Sequence, residues 1–127
     1  MLLSVFMLAS CAQNDQLPTF GEEKYYEVPN SSVRYSHLEF GNVICDGKQA
    51  VFINFNSDYP VDRLAAKGSL LDQNGNVIYT FDQGITFSST NKPELPVRIE
   101  KELIKSVRSV SFTEIKAYTK NKINFQN

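Results

Sequence analysis

Two tight-turn dipeptides constrain most strongly what this chain can fold into. Asp46-Gly47 and Asn74-Gly75 each lie between two runs that contain several apolar residues. A two-residue type I′ turn needs positive φ at both central positions, and Asp-Gly and Asn-Gly supply positive φ at low cost. The sequence therefore predicts two antiparallel β-hairpins, one centred on each dipeptide.

The strand after the first turn shows the clearest face pattern in the chain. In residues 50–55, Val51, Ile53 and Phe55 share one face by the period of two. Phe52 points to the other face. Because apolar side chains occur on both faces, the sequence predicts a central strand that is partly covered on both sides.

Other parts of the chain also have strand-like composition and are bounded by turn residues. Residues 95–105 fit both the helical and the strand period, which predicts a strand running into one helical turn. The apolar positions change parity between Phe112 and Ile115, which predicts a β-bulge near Thr113. Tyr25 and Tyr26 belong either to a short first strand or to an exposed aromatic patch for a partner. Strands are predicted over residues 24–28, 33–40, 64–71, 77–81, 84–87 and 110–118.

About seven short strands without a long amphipathic helix predict an all-β fold. We expect an antiparallel, immunoglobulin-like β-sandwich over residues 33–120, with residues 121–127 as a C-terminal tail. A small closed barrel is the structural alternative. The chain has 127 residues, which suits one domain with a single core.

The N-terminus has a different character. An apolar run leads into Leu8-Ala9-Ser10-Cys11, which resembles the lipobox of bacterial lipoproteins. The resemblance implies that residues 1–10 are a removed signal peptide and that Cys11 carries the lipid as the first residue of the mature protein. Residues 11–32 would then be the lipidated cysteine and its tether. The alternative, a first core strand, fits poorly because these apolar residues do not alternate.

Two expectations follow from the lipobox resemblance. Ala12, and not Asp, follows Cys11, which resembles the sorting rule of enteric-type bacteria and implies the outer membrane, facing the periplasm. The segment lacks the Lys or Arg that usually opens an export signal, so we expect the natural start to lie upstream. The apolar run is too short for a transmembrane helix, which needs about 20 residues.

The expected state of the Cys45 thiol depends on the lipid expected on Cys11. The chain contains only Cys11 and Cys45, and a lipid thioether on Cys11 would prevent a disulfide between them. Cys45 follows the apolar residues Val43 and Ile44. The sequence therefore predicts a lone, buried thiol at Cys45 that packs as a small core side chain.

Charge excludes one class of partner. The formal net charge is −1, with 13 basic and 14 acidic residues, so the chain has no strong field to attract nucleic acid. Residues 98–122 contain seven basic and three acidic residues. This basic end is interpreted either as a surface for anionic lipid headgroups or as an ordinary solvated face.

The search for catalytic chemistry yields little. His37 is the only histidine, and no His-x-x-His or Glu-x-x-His spacing is present for a metal. Cys45 with His37 is a conceivable nucleophile and base, but no third orienting group stands out. The pair Glu22-Glu23 lies in the tether and is interpreted as solvated charge. We therefore predict no catalytic residues, no cofactor, no metal site and no enzymatic activity.

Two further resemblances bear on function. Phe55-Asn56-Ser57, Pro60-Val61 and residues 70–78 resemble the middle hairpin of FxLYD-type immunoglobulin-like domains of bacterial surface lipoproteins, over residues 50–81. Ile44-Cys45-Asp46-Gly47-Lys48 resembles periplasmic lysozyme inhibitors of the MliC type, although we expect this chain to lack both their paired cysteine and their Ser-Gly-x-x-Tyr loop.

The first of these resemblances implies a binding or scaffolding module. We therefore expect a lipid-anchored, non-enzymatic envelope protein that binds a protein partner or acts in envelope assembly. The second resemblance implies an alternative, inhibition of a lysozyme-like hydrolase. A small hydrolase with an unrecognised site is the third possibility.

Overall fold

A computed structural model describes residues 24–121 of the chain. The predicted signal peptide (residues 1–10), Cys11, Glu22-Glu23 and nearly all of the C-terminal tail lie outside the described residues. Within residues 24–121, no helix is long and apolar enough to cross a membrane.

Seven strands form two antiparallel sheets, which confirms the predicted all-β sandwich. The first sheet has the order β1-β7-β4-β5 and the second has the order β2-β3-β6. One short helix, α1 (Lys101–Ile104), links β6 to β7, and a 3-10 turn (Asn30–Ser32) follows β1. The strands are β1 (Tyr26–Val28), β2 (Val33–Cys45), β3 (Lys48–Ser57), β4 (Val61–Leu71), β5 (Val77–Thr90), β6 (Glu94–Glu100) and β7 (Ser109–Thr119).

The core lies between the sheets, and β3 supplies its central face. Val51, Ile53 and Phe55 are buried, whereas Phe52 is partly buried on the opposite face. β3 lies between β2 and β6 in its sheet, which confirms the predicted central strand. Fully burying an aliphatic or phenyl side chain stabilises a fold by roughly 1.5–3 kcal/mol, so these three residues anchor the smaller sheet.

Both predicted hairpins are present, with different loops. Asp46 and Gly47 have φ of 53° and 74°, and Cys45 pairs with Lys48, so the first turn contains only these two residues. The second turn is longer, spanning residues 72–76 between the paired Leu71 and Val77. In it Gly75 has φ of 84°. The Asp72 carboxylate stabilises this turn. Its Oδ1 accepts hydrogen bonds from the backbone N–H groups of Asn74 and Asn76, each at 2.9 Å.

The predicted bulge near Thr113 is confirmed. Lys67 pairs with Glu114 and Gly68 pairs with Phe112, which leaves Thr113 as the extra residue of β7. The Thr113 hydroxyl donates to the Lys67 carbonyl oxygen at 3.2 Å. A Cβ atom at Gly68 would lie 2.2 Å from the Ser111 carbonyl oxygen, so glycine is required for this close approach.

Strand boundaries differ from the predictions at two places. Residues 77–81 and 84–87 belong to one strand, β5, because Asp82 and Gln83 continue the pairing with β4. The Gln83 side chain donates to the Pro96 carbonyl oxygen in the other sheet at 2.7 Å, so a polar residue here joins the layers. Residues 33–40 and 43–45 likewise form the single strand β2. The first strand (β1) and the strand followed by a helical turn (β6 and α1) are confirmed.

A buried carboxylate ties together three strand ends. Asp62 at the start of β4 is 4% exposed. It accepts hydrogen bonds from the Ser89 hydroxyl (2.6 Å), the Ser89 N–H (3.1 Å) and the Lys120 N–H (2.8 Å). The Thr119 hydroxyl also donates to it, at 3.4 Å. Burial raises the pKa of Asp62, but the hydrogen bonds outweigh this effect, so its pKa lies below the ordinary value.

We predict that Asp62→Ala lowers the free energy of unfolding by about 2–4 kcal/mol, because it leaves buried donors without an acceptor. The measurement is urea unfolding at pH 7. The exposed Asp82→Ala on β5 is the control and should change stability by less than about 0.5 kcal/mol. Equal losses in the two variants would contradict the assigned role of Asp62.

The same carboxylate predicts a pH dependence. Because its native pKa is lowered, its charged form stabilises the fold above the unfolded-state pKa of about 3.9, and this contribution is lost as the pH falls through the native pKa. Asp62→Asn lacks this ionisation. Between pH 6 and pH 3 it should therefore lose less stability than the unmodified protein, as followed by urea midpoints.

Candidate functional site

A groove of about 600 Å³ opens along one side of the sandwich, between β2 and the segment that links β6 to β7. We call it the β2 groove. One wall is the middle of β2, and the other is the end of α1 with the residues that follow it. Its lining residues are Tyr35, Ser36, His37, Leu38, Phe40, Ile104, Lys105, Val107 and Arg108.

The groove lies on the side of the sandwich where strand pairing ends. β2 is the outer strand of its sheet, and among residues 24–121 it pairs with β3 alone. In the other sheet, β1 is only three residues long and pairs with residues 117–119 of β7. Because β1 covers so little of β7, residues 109–116 of β7 pair with only one strand, β4, among the strands that the structure describes. Both sheets therefore present open backbone on the same side.

Apolar side chains are exposed along β2. Tyr35 is 40% exposed and Phe40 is 49% exposed, while Ile104 and Val107 are buried beneath the opposite wall. Val43 and Ile44, nearer the end of β2, are also exposed. Monomeric proteins rarely leave large apolar surface uncovered, so these exposed side chains of β2 indicate an interaction site.

An aromatic cluster holds one wall in place. The ring centroid of Tyr35 lies 5.7 Å from that of Phe112 and 6.4 Å from that of Phe55. Phe55 and Phe112 are themselves 5.5 Å apart. The Tyr35 ring is thus packed against both sheets, and burial raises the pKa of its phenol. One edge of the groove is consequently rigid and continuous with the core.

The other wall carries cationic groups. Arg108 Nη1 donates to the carbonyl oxygens of Lys105 (2.6 Å) and Val107 (3.0 Å), which fixes its guanidinium beside the backbone. Lys105 and Arg108 are both exposed. None of the nine lining residues is a carboxylate. The groove therefore favours an anionic or electron-rich ligand over a cationic one.

His37 takes part in a short run of polar contacts. Its Nδ1 lies 2.8 Å from the Ser36 hydroxyl, and its Nε2 lies 3.4 Å from Glu39 Oε2. The His37 and Glu39 side chains are 55% and 57% exposed. Nucleophile activation relies on a water-excluded, oriented site, whereas these three groups lie along an open strand edge. Ser36 falls between the paired residues Tyr35 and His37, so the run lies at a β-bulge. We interpret its three side chains as solvated groups that contact one another on the surface.

The prediction of a lone, buried thiol at Cys45 is wrong. Cys45 is disulfide-bonded and only partly buried, at the end of β2. It lies at the hairpin turn and does not line the groove, so the conceivable Cys45 and His37 nucleophile pair is not assembled there. Apolar neighbours suggested burial, but β2 is an edge strand, and its C-terminal half faces solvent.

The predicted basic end is partly neutralised by ion pairs. Lys116 Nζ lies 3.3 Å from Glu114 Oε2, and Lys67 Nζ lies 3.6 Å from Glu114 Oε1. Lys101 lies 3.8 Å from Glu102. Hydrogen bonding and the charge of Lys116 lower the pKa of Glu114. Within residues 24–121 there is no group of three or more His, Cys, Asp or Glu side chains that could hold a metal ion.

Comparison with known proteins identifies no relative: no protein family, no curated protein and no solved structure matches this chain.

Sequence reasoning singled out His37 but not the other groove residues. Tyr35 and Phe40 fall in the strand predicted over residues 33–40, but alternation alone cannot show that a strand lies at a sheet edge. Lys105 and Arg108 belong to the basic end, and nothing in the sequence places them beside β2. The available signal was the run of apolar residues on both faces of residues 35–44, which is unusual for a strand with one wet face.

We predict that Phe40→Ala changes the free energy of unfolding by less than about 1 kcal/mol, because this side chain is half exposed and its removal leaves no enclosed cavity. The matched core variant Phe55→Ala, in which the phenyl group is 1% exposed, should cost about 3–5 kcal/mol. Both values are measured by urea unfolding. A loss at Phe40 similar to that at Phe55 would show that Phe40 is a core residue and not part of a ligand surface.

Proposed function

We propose that this protein is a lipid-anchored module of the bacterial cell envelope that binds another protein and catalyses no reaction. The observation that supports the binding role is the β2 groove, an apolar, aromatic concavity beside an uncovered strand edge. The observation that supports the anchor is Leu8-Ala9-Ser10-Cys11.

In this proposal Cys11 is the first residue of the mature chain, and its sulfur carries diacylglycerol. Residues 12–23 link the lipid to the sandwich. Ala12 after the cysteine favours the outer membrane, with the domain facing the periplasm. The binding module would then act close to the membrane, where a tethered groove meets envelope partners at a raised effective concentration.

Two alternatives receive less support from the geometry. A lysozyme-type inhibitor needs a protruding loop to enter an active-site cleft, whereas the hairpin that carries this resemblance closes with a two-residue turn at Asp46-Gly47. A hydrolase needs a desolvated nucleophile, and the Ser36, His37 and Glu39 run is open to solvent.

The disulfide at Cys45 competes directly with the proposed anchor. The sequence has two cysteines, so an intrachain disulfide at Cys45 would use the sulfur of Cys11. One sulfur atom cannot hold both a disulfide and a lipid thioether. The chemical state of Cys11 in cells therefore decides the anchoring part of the proposal.

We predict that cells expressing this protein incorporate labelled palmitate into it, that Cys11→Ser abolishes the labelling, and that Cys45→Ser retains it. The readout is radiolabel or clickable palmitate after immunoprecipitation. The lipid-anchor proposal requires the label to follow Cys11 because only this cysteine lies in the lipobox.

Intact-mass analysis of the purified protein gives the opposing outcome. A chain that still carries residues 1–10, or that loses two hydrogens on forming a Cys11 to Cys45 disulfide, would contradict the anchor. Turnover of ester, glycoside or peptidoglycan substrates that is lost in Ser36→Ala would contradict the non-enzymatic role.

A further inference from the structure

We infer that the β2 groove binds an extended, acidic peptide segment of a partner protein, which adds as a new strand to the outer edge of β2. The inference rests on the proposed binding function and specifies its site and ligand class. It is carried by three features of the described residues: an open strand edge, exposed aromatic side chains along it, and two cations on the facing wall.

The open edge supplies the main-chain part of recognition. Apart from Ser36 at the bulge, residues 35–40 of β2 pair with β3 on one side, and within residues 24–121 no strand pairs with them on the other. Every second residue of an edge strand directs its N–H and C=O groups outward. A peptide can pair with these groups by strand addition, which gives affinity with little dependence on sequence.

The groove supplies the side-chain part. In an added strand every second side chain points to the same face, and the face beside β2 is the groove formed by Leu38, Phe40 and the residues from Ile104 onward. The exposed rings of Tyr35 and Phe40 offer apolar contact. We therefore expect β-branched or aromatic residues at alternate positions of the ligand.

Charge complementarity selects acidic residues between them. Lys105 and Arg108 lie on the facing wall, and in the described part of the chain neither forms an ion pair with a carboxylate. Lys101 and Lys116, by contrast, are paired with Glu102 and Glu114. Arg108 is held by its Nη1 hydrogen bonds to two carbonyl oxygens, so its charge is pre-positioned for a ligand carboxylate.

Strand addition explains the groove better than contact with a lipid surface does. Anionic headgroups would use the two cations but would leave the apolar groove and the unpaired backbone without a role. A flat membrane also meets a convex basic face more readily than a concavity between two layers. The peptide is the ligand that uses all three features.

The test measures peptide binding to the full-length protein in detergent by fluorescence anisotropy. The probe is a fluorescein-labelled octapeptide that alternates valine and glutamate. Two control peptides replace glutamate by lysine or carry N-methyl groups on alternate amides. We expect binding of the glutamate peptide, at least tenfold weaker binding of the lysine peptide, and loss of binding on N-methylation.

Matched variants locate the site. Lys105→Glu should weaken binding of the glutamate peptide about three- to tenfold, since a rim charge is reversed beside the ligand. Lys92→Glu, an exposed lysine in the β5 to β6 turn, makes the same change in net charge and should leave the affinity unchanged. Phe40→Ala should also weaken binding, although it leaves the fold intact.

Four results would overturn the inference. One is equal binding of the glutamate and lysine peptides, and another is equal effects of Lys105→Glu and Lys92→Glu. Binding to phosphatidylglycerol vesicles that is lost in Lys105→Glu, without peptide binding, would assign the surface to lipid. The last is peptide binding that is seen only in a triple variant that combines Asp15→Asn, Glu22→Gln and Glu23→Gln. That result would show that the chain's own acidic N-terminal segment binds in the β2 groove.

These outcomes are separable from those of the anchor proposal. Palmitate labelling without peptide binding would leave the anchor standing and remove the groove inference. Peptide binding by an unlipidated protein would leave the groove inference standing and remove the anchor.

Discussion

The structure depends on the burial of one face of β3 between two sheets of unequal size. Val51, Ile53 and Phe55 are buried where the three-stranded sheet packs on the four-stranded one. The ring of Phe55 touches that of Phe112 in the facing sheet, with centroids 5.5 Å apart. This contact fixes the spacing and register of the two layers. Because β2 is hydrogen-bonded to β3, its position follows from the same interaction.

In the described part of the chain, the sheets differ in strand number and β1 is only three residues long, so no strand covers one side of the sandwich. Sheet edges are liabilities that proteins manage with bulges, charges and short strands. β2 has bulges on both sides of residues 37–40 and carries the charges of Arg34 and Glu39. Between the bulges, residues 37–40 pair with β3 in regular register. At a strand-addition site, the backbone hydrogen bonds of the edge strand give affinity for a peptide. Side-chain pockets and charge select which peptide binds.

The sequence predicted the fold more completely than the site, for a physical reason. Turn dipeptides and the period of two are local signals, so the Asp46-Gly47 hairpin, the central position of β3 and the bulge at Thr113 were all predicted correctly. Which strand lies at an edge depends on long-range pairing. The groove therefore escaped prediction, because the position of β2 beside residues 104–108 depends on long-range strand pairing in both sheets. Cys45 shows the same limit, since apolar neighbours do not reveal whether a strand end is exposed.

The most direct test of the account is amide hydrogen exchange along β2, resolved by residue in the isolated protein by NMR. An uncovered edge predicts alternation over residues 37–40, which lie between the two bulges of β2: amides bonded to β3 should be protected about as well as those of β3 itself, and the intervening amides should exchange rapidly. Uniform protection of every amide in this stretch would contradict the account, because it would show that another strand already covers the edge of β2.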